Sequence, residues 1–269
     1  MNDNMTDEEV RAAAIPAATL VLFRERDGAA PELLVVERSA KMAFAGGAIV
    51  FPGGRIDPDD HLVASTPAMI ASSDDIALDE AAARVAAIRE TLEESGIATG
   101  FANMPDHGWI RDTRQRLSAR ELFSTILGEA QHQLDLSQLV PFARWRPGFR
   151  EARIFDTRFY IARAAADAPE PIVDETENVT SFWASARDLL IAADAEKVRV
   201  IFPTRRNLER LAQFDDYDGA HAHALSIPVE IVCPQIEERD GERHLCIPTH
   251  LGYPITSEIL SLVARGSPK

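Results

Sequence analysis

The sequence predicts a mixed fold of the α/β or α+β class. Three observations carry that expectation. Short β-branched runs are bounded by turn signals, long segments of helical period stand between them, and the two kinds interleave along most of the chain. A length of 269 residues with 46% hydrophobic and 26% charged content suffices to bury a full core without disulfides, as one large domain. No internal repeat or low-complexity linker divides it.

The elements follow in order. Residues 1–14 are a polar lead-in, acidic and lacking the apolar core of a secretory signal. AATLVLFRE (17–25) has strand character, and Asp27-Gly28 is a hairpin turn signal. ELLVVER (32–38) and AIVF (48–51) are the next strands, the latter broken by Pro52-Gly53-Gly54. Residues 58–75 hold Pro, Asp, Ser and Thr with little periodicity and predict a loop. A helix is expected from near Ser73 or Asp74 to Gly96, burying Leu78, Val85, Ile88 and Leu92 on one face. The stretch 107–137 predicts polar helices buried through Leu117, Leu122, Ile126 and Leu127. Strands are expected at 138–145, 154–162 and 178–184, then helices at 185–195 and 203–214. A hairpin pairing 227–232 with 243–247 across Asp240-Gly241, and a helix at 256–264, complete the chain.

Charge and cysteine content exclude several classes. A formal net charge of −15 argues against a nucleic-acid surface, which needs clustered Lys and Arg. It leaves room for a small anionic substrate, because a bound divalent cation can reverse the local sign. No apolar run approaches the length of a membrane span. Cys233 and Cys246 form no metal spacing and lie in apolar stretches, which predicts core thiols and a cytoplasmic protein. His221 and His223 lack Cys or acidic partners at zinc spacing and read as structural. Trp145, Trp183 and Phe159 read as core.

The chemistry concentrates in RETLEES (89–95). At ~100° per residue, Glu93 and Glu94 lie ~60° and ~40° to either side of Glu90, while Ile88 and Leu92 lie roughly opposite. One face of the helix is buried and the other presents three acids, which repel one another. A solvated acidic face is the plain reading. A divalent cation would relieve the repulsion, and an all-oxygen donor set suits Mg²⁺ or Mn²⁺.

RETLEESGI (89–97) resembles the second half of the Nudix box, G-x5-E-x7-R-E-U-x-E-E-x-G-U with U apolar, and FPGG (51–54) resembles its opening. Thr91 stands at a usually aliphatic position. The first glutamate, counted back from Arg89, falls on Ala81, with Glu80 beside it. The two halves are separated by the extra residues 58–75, an insertion found in the branch resembling peroxisomal-type coenzyme A diphosphatases. WRPGFREARIFDTRFYIA (145–162), Glu177 six residues before Trp183, and FPTRRNLERL (202–211) extend the likeness to that branch. LVVERSAKMAFAGGAIVFPGG (34–54) lies on a coenzyme A-type motif, with Val36 for Thr and Ala43 for a second Arg.

The resemblance implies one Nudix domain over 1–269, a mixed β-sheet between helices, with a helical insert at 104–137 and a C-terminal extension at 197–269. It implies that Glu90, Glu93, Glu94 and the Gly54 carbonyl hold Mg²⁺ or Mn²⁺, with Arg89 orienting the carboxylates. Glu177, with Glu175 close behind, is the implied general base. Arg38, Gly53, Arg153 and Arg158 are the implied contacts to a small nucleotide-diphosphate substrate. Arg205 and Arg206, at a helix start, are weaker candidates for an anion. The implied reaction is hydrolysis of the diphosphate bond of coenzyme A or an acyl-coenzyme A. ADP-ribose, a dinucleotide or another NDP-X is the alternative, and a non-catalytic ligand sensor is the reading from another class. As with many Nudix proteins, the assembly to test for is a homodimer.

Overall fold

The computed structural model describes residues 14–39, 45–72, 76–147, 154–165, 167–172 and 178–263, apart from the side chains of 178 and 179. The polar lead-in, Arg153, Glu175 and Glu177 lie outside the described residues.

The chain begins with β1 (Ile15–Arg24), β2 (Glu32–Arg38), β3 (Ala48–Val50) and β4 (Gly53–Arg55). Helix α1 (Pro58–Ser65), a single 3₁₀ turn and β5 (Ile70–Ser72) come next, followed by the long helix α2 (Leu78–Ser95). Helices α3 (His107–Ser118) and α4 (Phe123–Ala130) precede β6 (Leu134–Asp135), β7 (Val140–Trp145), β8 (Phe155–Arg163) and β9 (Asn178–Ser185). Then come α5 (Ala186–Asp194), β10 (Arg199–Val200), α6 (Phe202–Leu211) and α7 (Tyr217–Ser226). The last elements are β11 (Ile231–Val232), β12 (Gln235–Arg239), β13 (Glu242–Cys246), β14 (Ser257–Ile259) and α8 (Leu260–Val263).

The main sheet runs β10-β3-β2-β1-β8-β7-β11, with β4 also on β1 and β9 also on β2. It is mixed: β1 and β8 are parallel, while β7–β8 and β2–β9 are antiparallel. Strand alternation sorts side chains onto two faces. Ala18, Leu20, Leu22, Leu34 and Tyr160 meet Val85, Ile88 and Leu92 of α2. Val21, Phe23, Leu33, Phe159 and Ile161 meet Leu189, Leu208, Leu211 and Tyr253 on the opposite side. Burying each of Val85, Ile88 and Leu92 is worth about 1.5–3 kcal/mol. The α2 helix stops at Gly96, whose φ of 70° and N–H bond to the Leu92 carbonyl form a left-handed cap.

One departure from regularity positions the site. β2 meets β1 only at Leu33–Phe23 and Glu32–Arg24. The lower part of β1, Ala17–Thr19, is thereby left to pair with Gly53–Arg55. The two glycines of FPGG are set into the sheet beneath α2.

Several expectations are corrected. The segment 58–75 is not a plain loop: Pro58 at the first helical position and an Asp57–Asp60 capping box start α1. Helix α2 begins at Leu78, and residues 73–75 lie outside the described residues. Leu78, in its first turn, is 49% exposed rather than buried. Leu122 is likewise exposed, because it caps α4 instead of packing within it. The hairpin turns at Asp240-Gly241 as expected, but β12, not 227–232, supplies its first strand. Ile231–Val232 instead extends the main sheet in parallel beside Arg144–Trp145. The C-terminal segment adds β14 before the short α8. Trp145, Trp183 and Phe159 are core residues, and Cys246 is buried while Cys233 is half-buried. No helix of the described residues is long and apolar enough to cross a membrane.

Candidate active site on α2 and the Gly-Gly strand

Packing of α2 on β4 brings the two halves of the sequence motif into contact. The Gly53 N–H donates to Glu94 Oε2 at 3.1 Å. A Cβ on Gly54 would overlap the Glu90 carboxylate, so only glycine lets the helix seat its acid against the strand. Gly53 is equally constrained, because a side chain there would run into the β1 backbone at Ala18.

Arg89 is buried, and all three of its side-chain nitrogens donate hydrogen bonds. Its Nε and Nη2 donate to Asp60 Oδ1 and Oδ2, both at 2.9 Å, in the fork geometry that suits a carboxylate. Nη2 also reaches the Arg55 carbonyl at 3.0 Å, and Nη1 donates to Glu90 Oε1 at 2.8 Å. Glu93 Oε2 lies 3.9 Å from the same Nη1. Arg89 thus ties α1, β4 and the Glu90 and Glu93 carboxylates of α2 together. Burial opposes its charge, but Asp60 and Glu90 outweigh that and raise its pKa. Asp60 has no exposed surface; burial pushes its pKa up, with Arg89 holding it back.

Asp60 is the residue that sequence reasoning missed. The supporting acid was sought eight residues before Arg89, at Ala81, which is a buried core alanine. Counted forward from Gly54, the spacing G-x5-acid arrives at Asp60. The extra residues therefore fall after the acid, not before it. Thr91, the other departure, is fully buried and satisfied by donating from Oγ1 to the Ala87 carbonyl at 2.7 Å.

Burial is the largest effect on Glu90, ahead of Arg89, which lowers it, and Glu93, which raises it; its pKa is pushed up to about 7. A carboxylate this desolvated and this close to another acid is chemically suited to a hard divalent cation. Glu94 is buried and Glu93 is partly exposed. Among the described residues no three acids, histidines or cysteines already converge as a metal cluster. Glu90 and Glu93 lean toward Arg89, and Glu94 toward Gly53. The donor types fit Mg²⁺ or Mn²⁺, and an incoming cation competes with Arg89 for two of them.

The remaining candidates divide. Arg38 ends β2, pairs in register with Asn178, and has a buried Nε without a hydrogen-bond partner among the described residues. Arg158 shares its register row with Ala18 and Gly54, but its Nε lies 3.4 Å from Glu80 Oε2. Arg205 and Arg206 are not an anion site. Arg206 is buried against Glu209 and Glu258, and Arg205 pairs with Asp194 and Glu209, so both serve packing of α6. His223 accepts from Arg210 Nε at 3.1 Å and is structural.

A family model described as NUDIX domain matches residues 14–204. The acyl-coenzyme A diphosphatase NUDT19 of Xenopus laevis is 26% identical over 247 residues, covering 74% of this chain and 64% of that protein. The chain therefore spans under two thirds of that curated relative's length. Among solved structures, a NUDIX hydrolase from Alicyclobacillus acidocaldarius is similar with a TM-score of 0.63 and 27% identity, over 78% of this chain and 96% of that one.

Proposed function

As this chain belongs to the NUDIX domain family, we propose that it hydrolyses the diphosphate linkage of coenzyme A or an acyl-coenzyme A with the help of Mg²⁺ or Mn²⁺. The observation that carries the reading is the contact of Gly53 and Gly54 with Glu94 and Glu90, braced by the Arg89–Asp60 fork. The name of the NUDT19 relative supports the coenzyme A class. The reading of 197–269 as a C-terminal extension of the same domain is supported by Leu208, Leu211 and Tyr253, which share one core with Val21 and Phe23.

Glu90, Glu93 and Glu94, with the Gly54 carbonyl, would hold the cation. When bound, such an ion neutralises diphosphate charge and lowers the pKa of an attacking water. Arg89 fixes where the first two carboxylates start from, and Asp60 fixes Arg89. Glu177, or Glu175 beside it, takes the proton of the attacking water. Water oxygen bonds to one phosphorus as the bridging P–O bond breaks, giving 3′,5′-ADP and a phosphopantetheine. Arg38, Arg153, Arg158 and the Gly53 backbone meet the substrate, guanidinium being suited to phosphate oxygens.

The test is a chromatographic screen of coenzyme A, acyl-coenzyme A, ADP-ribose, NADH and dinucleoside polyphosphates with Mg²⁺ or Mn²⁺. Coenzyme A compounds should be turned over fastest, and chelation should abolish turnover. Glu93→Gln and Glu94→Gln should each reduce it by roughly 100-fold, as for loss of one preorganised contact to the reacting groups. Equal turnover across the panel would sink the coenzyme A preference. No hydrolysis of any diphosphate would favour a ligand sensor.

A further inference from the structure

A group of arginines lies on the α2 side of the sheet, along the register row that starts at Gly54. Gly54, Ala18, Arg158 and Arg144 form one register row across β4, β1, β8 and β7. With strands ~4.8 Å apart, Arg158 and Arg144 are ~10 and ~14 Å from Gly54 along that row. Arg144 grips Asp156 through Nε and Nη2 at 2.7 and 2.8 Å. Arg146 Nη1 stands 4.0 Å from the same carboxylate, beyond hydrogen-bond reach. Arg158 and Arg84 both lie 3.4 Å from Glu80. Four guanidinium groups therefore share two carboxylates, in a chain whose net charge is −15.

Arg146 is the telling member. It is 8% exposed, and its Nε is buried with no hydrogen-bond partner among the described residues. An unmatched N–H on a buried cation is costly, so the side chain gains by shifting onto an oxyanion that arrives where Nη1 falls short of Asp156. Arg144 keeps 32% of its side chain exposed, so the cluster opens to solvent.

We propose that Arg144, Arg146 and Arg158 form a second anion subsite, which takes a phosphomonoester carried on the substrate's ribose, apart from the diphosphate under attack. This deepens the coenzyme A reading and rests on it. A substrate that yields 3′,5′-ADP carries a phosphate on its ribose 3′ oxygen, which ADP-ribose lacks. One ribose and an arginine side chain together span the offset from Gly54 to Arg158. In so acidic a chain, a local excess of positive charge also draws the polyanion to the correct side of the metal site.

Two variants spare the acids: Arg146→Gln leaves Asp156 on Arg144, and Arg158→Gln leaves Glu80 on Arg84. Thermal unfolding of each should stay close to wild type. Steady-state turnover of coenzyme A and dephospho-coenzyme A, and calorimetric titration of 3′,5′-ADP and 5′-AMP, are then compared. Wild type should favour the 3′-phosphorylated member of each pair by about tenfold or more, and either variant should bring that ratio toward one. Equal preference in wild type, or an unchanged ratio in both variants, overturns the subsite. If neither coenzyme A compound is hydrolysed but another diphosphate is, the substrate reading has failed instead. The titration then still decides the subsite: 3′,5′-ADP binding no tighter than 5′-AMP refutes it.

Discussion

Replacing Asp60 by Asn tests the architecture of the site most directly. The side chain keeps its size, one oxygen and its place in α1, but loses its charge. In the native protein that carboxylate has no exposed surface and receives two bonds of 2.9 Å from Arg89 and one of 2.8 Å from the Asp57 N–H. Breaking one partner of a buried ion pair costs about 3–5 kcal/mol, because the other charge stays buried. Arg89 keeps Glu90 at 2.8 Å, so the lower end of that range is expected, about 3 kcal/mol. Urea unfolding followed by circular dichroism measures it, and a double-mutant cycle with Arg89→Gln isolates the pair. Activity should fall as well, since a released Arg89 moves further onto Glu90 and Glu93. Asp59→Asn is the control: Asp59 accepts from the Ser124 N–H and hydroxyl at the start of α4. Asn keeps an acceptor oxygen there, so this change should cost about 1 kcal/mol or less and leave turnover intact. The reasoning is refuted if Asp60→Asn costs under about 1 kcal/mol with no coupling to Arg89.

Other outcomes are equally definite. Gly54→Ala should lower kcat by ~100-fold with little loss of secondary structure, because the methyl group displaces the Glu90 carboxylate; unaltered kinetics would show that this close approach is dispensable. Burial, and then the neighbouring Arg210 charge, hold the His223 pKa below its ordinary 6.5. The unfolded chain therefore takes up the proton first as pH falls. Stability present above about 6.5 is lost as pH drops through the folded value. His223→Gln keeps an acceptor for Arg210 and does not titrate, so urea midpoints should fall less between about pH 7.5 and 5 than in wild type. Parallel midpoints in the two proteins would remove His223 as the source.

How far the sequence could be read depended on how local each determinant is. Val85, Ile88 and Leu92 repeat at helical spacing, and they are buried as that period requires. The motif halves were legible for the same reason, each being short and continuous. Leu78 has the right phase but sits in the first turn, where it lacks neighbours to cover it. Asp60 escaped notice because its partner Arg89 is 29 positions away, and spacing counted back from Arg89 crosses the added residues. Arg206 looked like a helix-start cation because Glu258, 52 positions away, gives no local sign of approaching it. Ile231 and Val232 join the main sheet through two residues that carry too little pattern to name Arg144 and Trp145 as their neighbours.

The Asp60–Arg89 fork has a consequence for how the chain tolerates change. It fastens both ends of the stretch between them, and the described part of this detour, residues 61–72, contributes none of the contacts that set Gly53, Glu90, Glu94 and Arg89 in place. Such a detour can lengthen or shrink over evolution while the reacting groups stay in register, much as a spliced passage leaves the surrounding text readable. A search pattern with fixed spacing between acid and arginine would pass over this protein; one that counts from the glycine and leaves the detour free would find it.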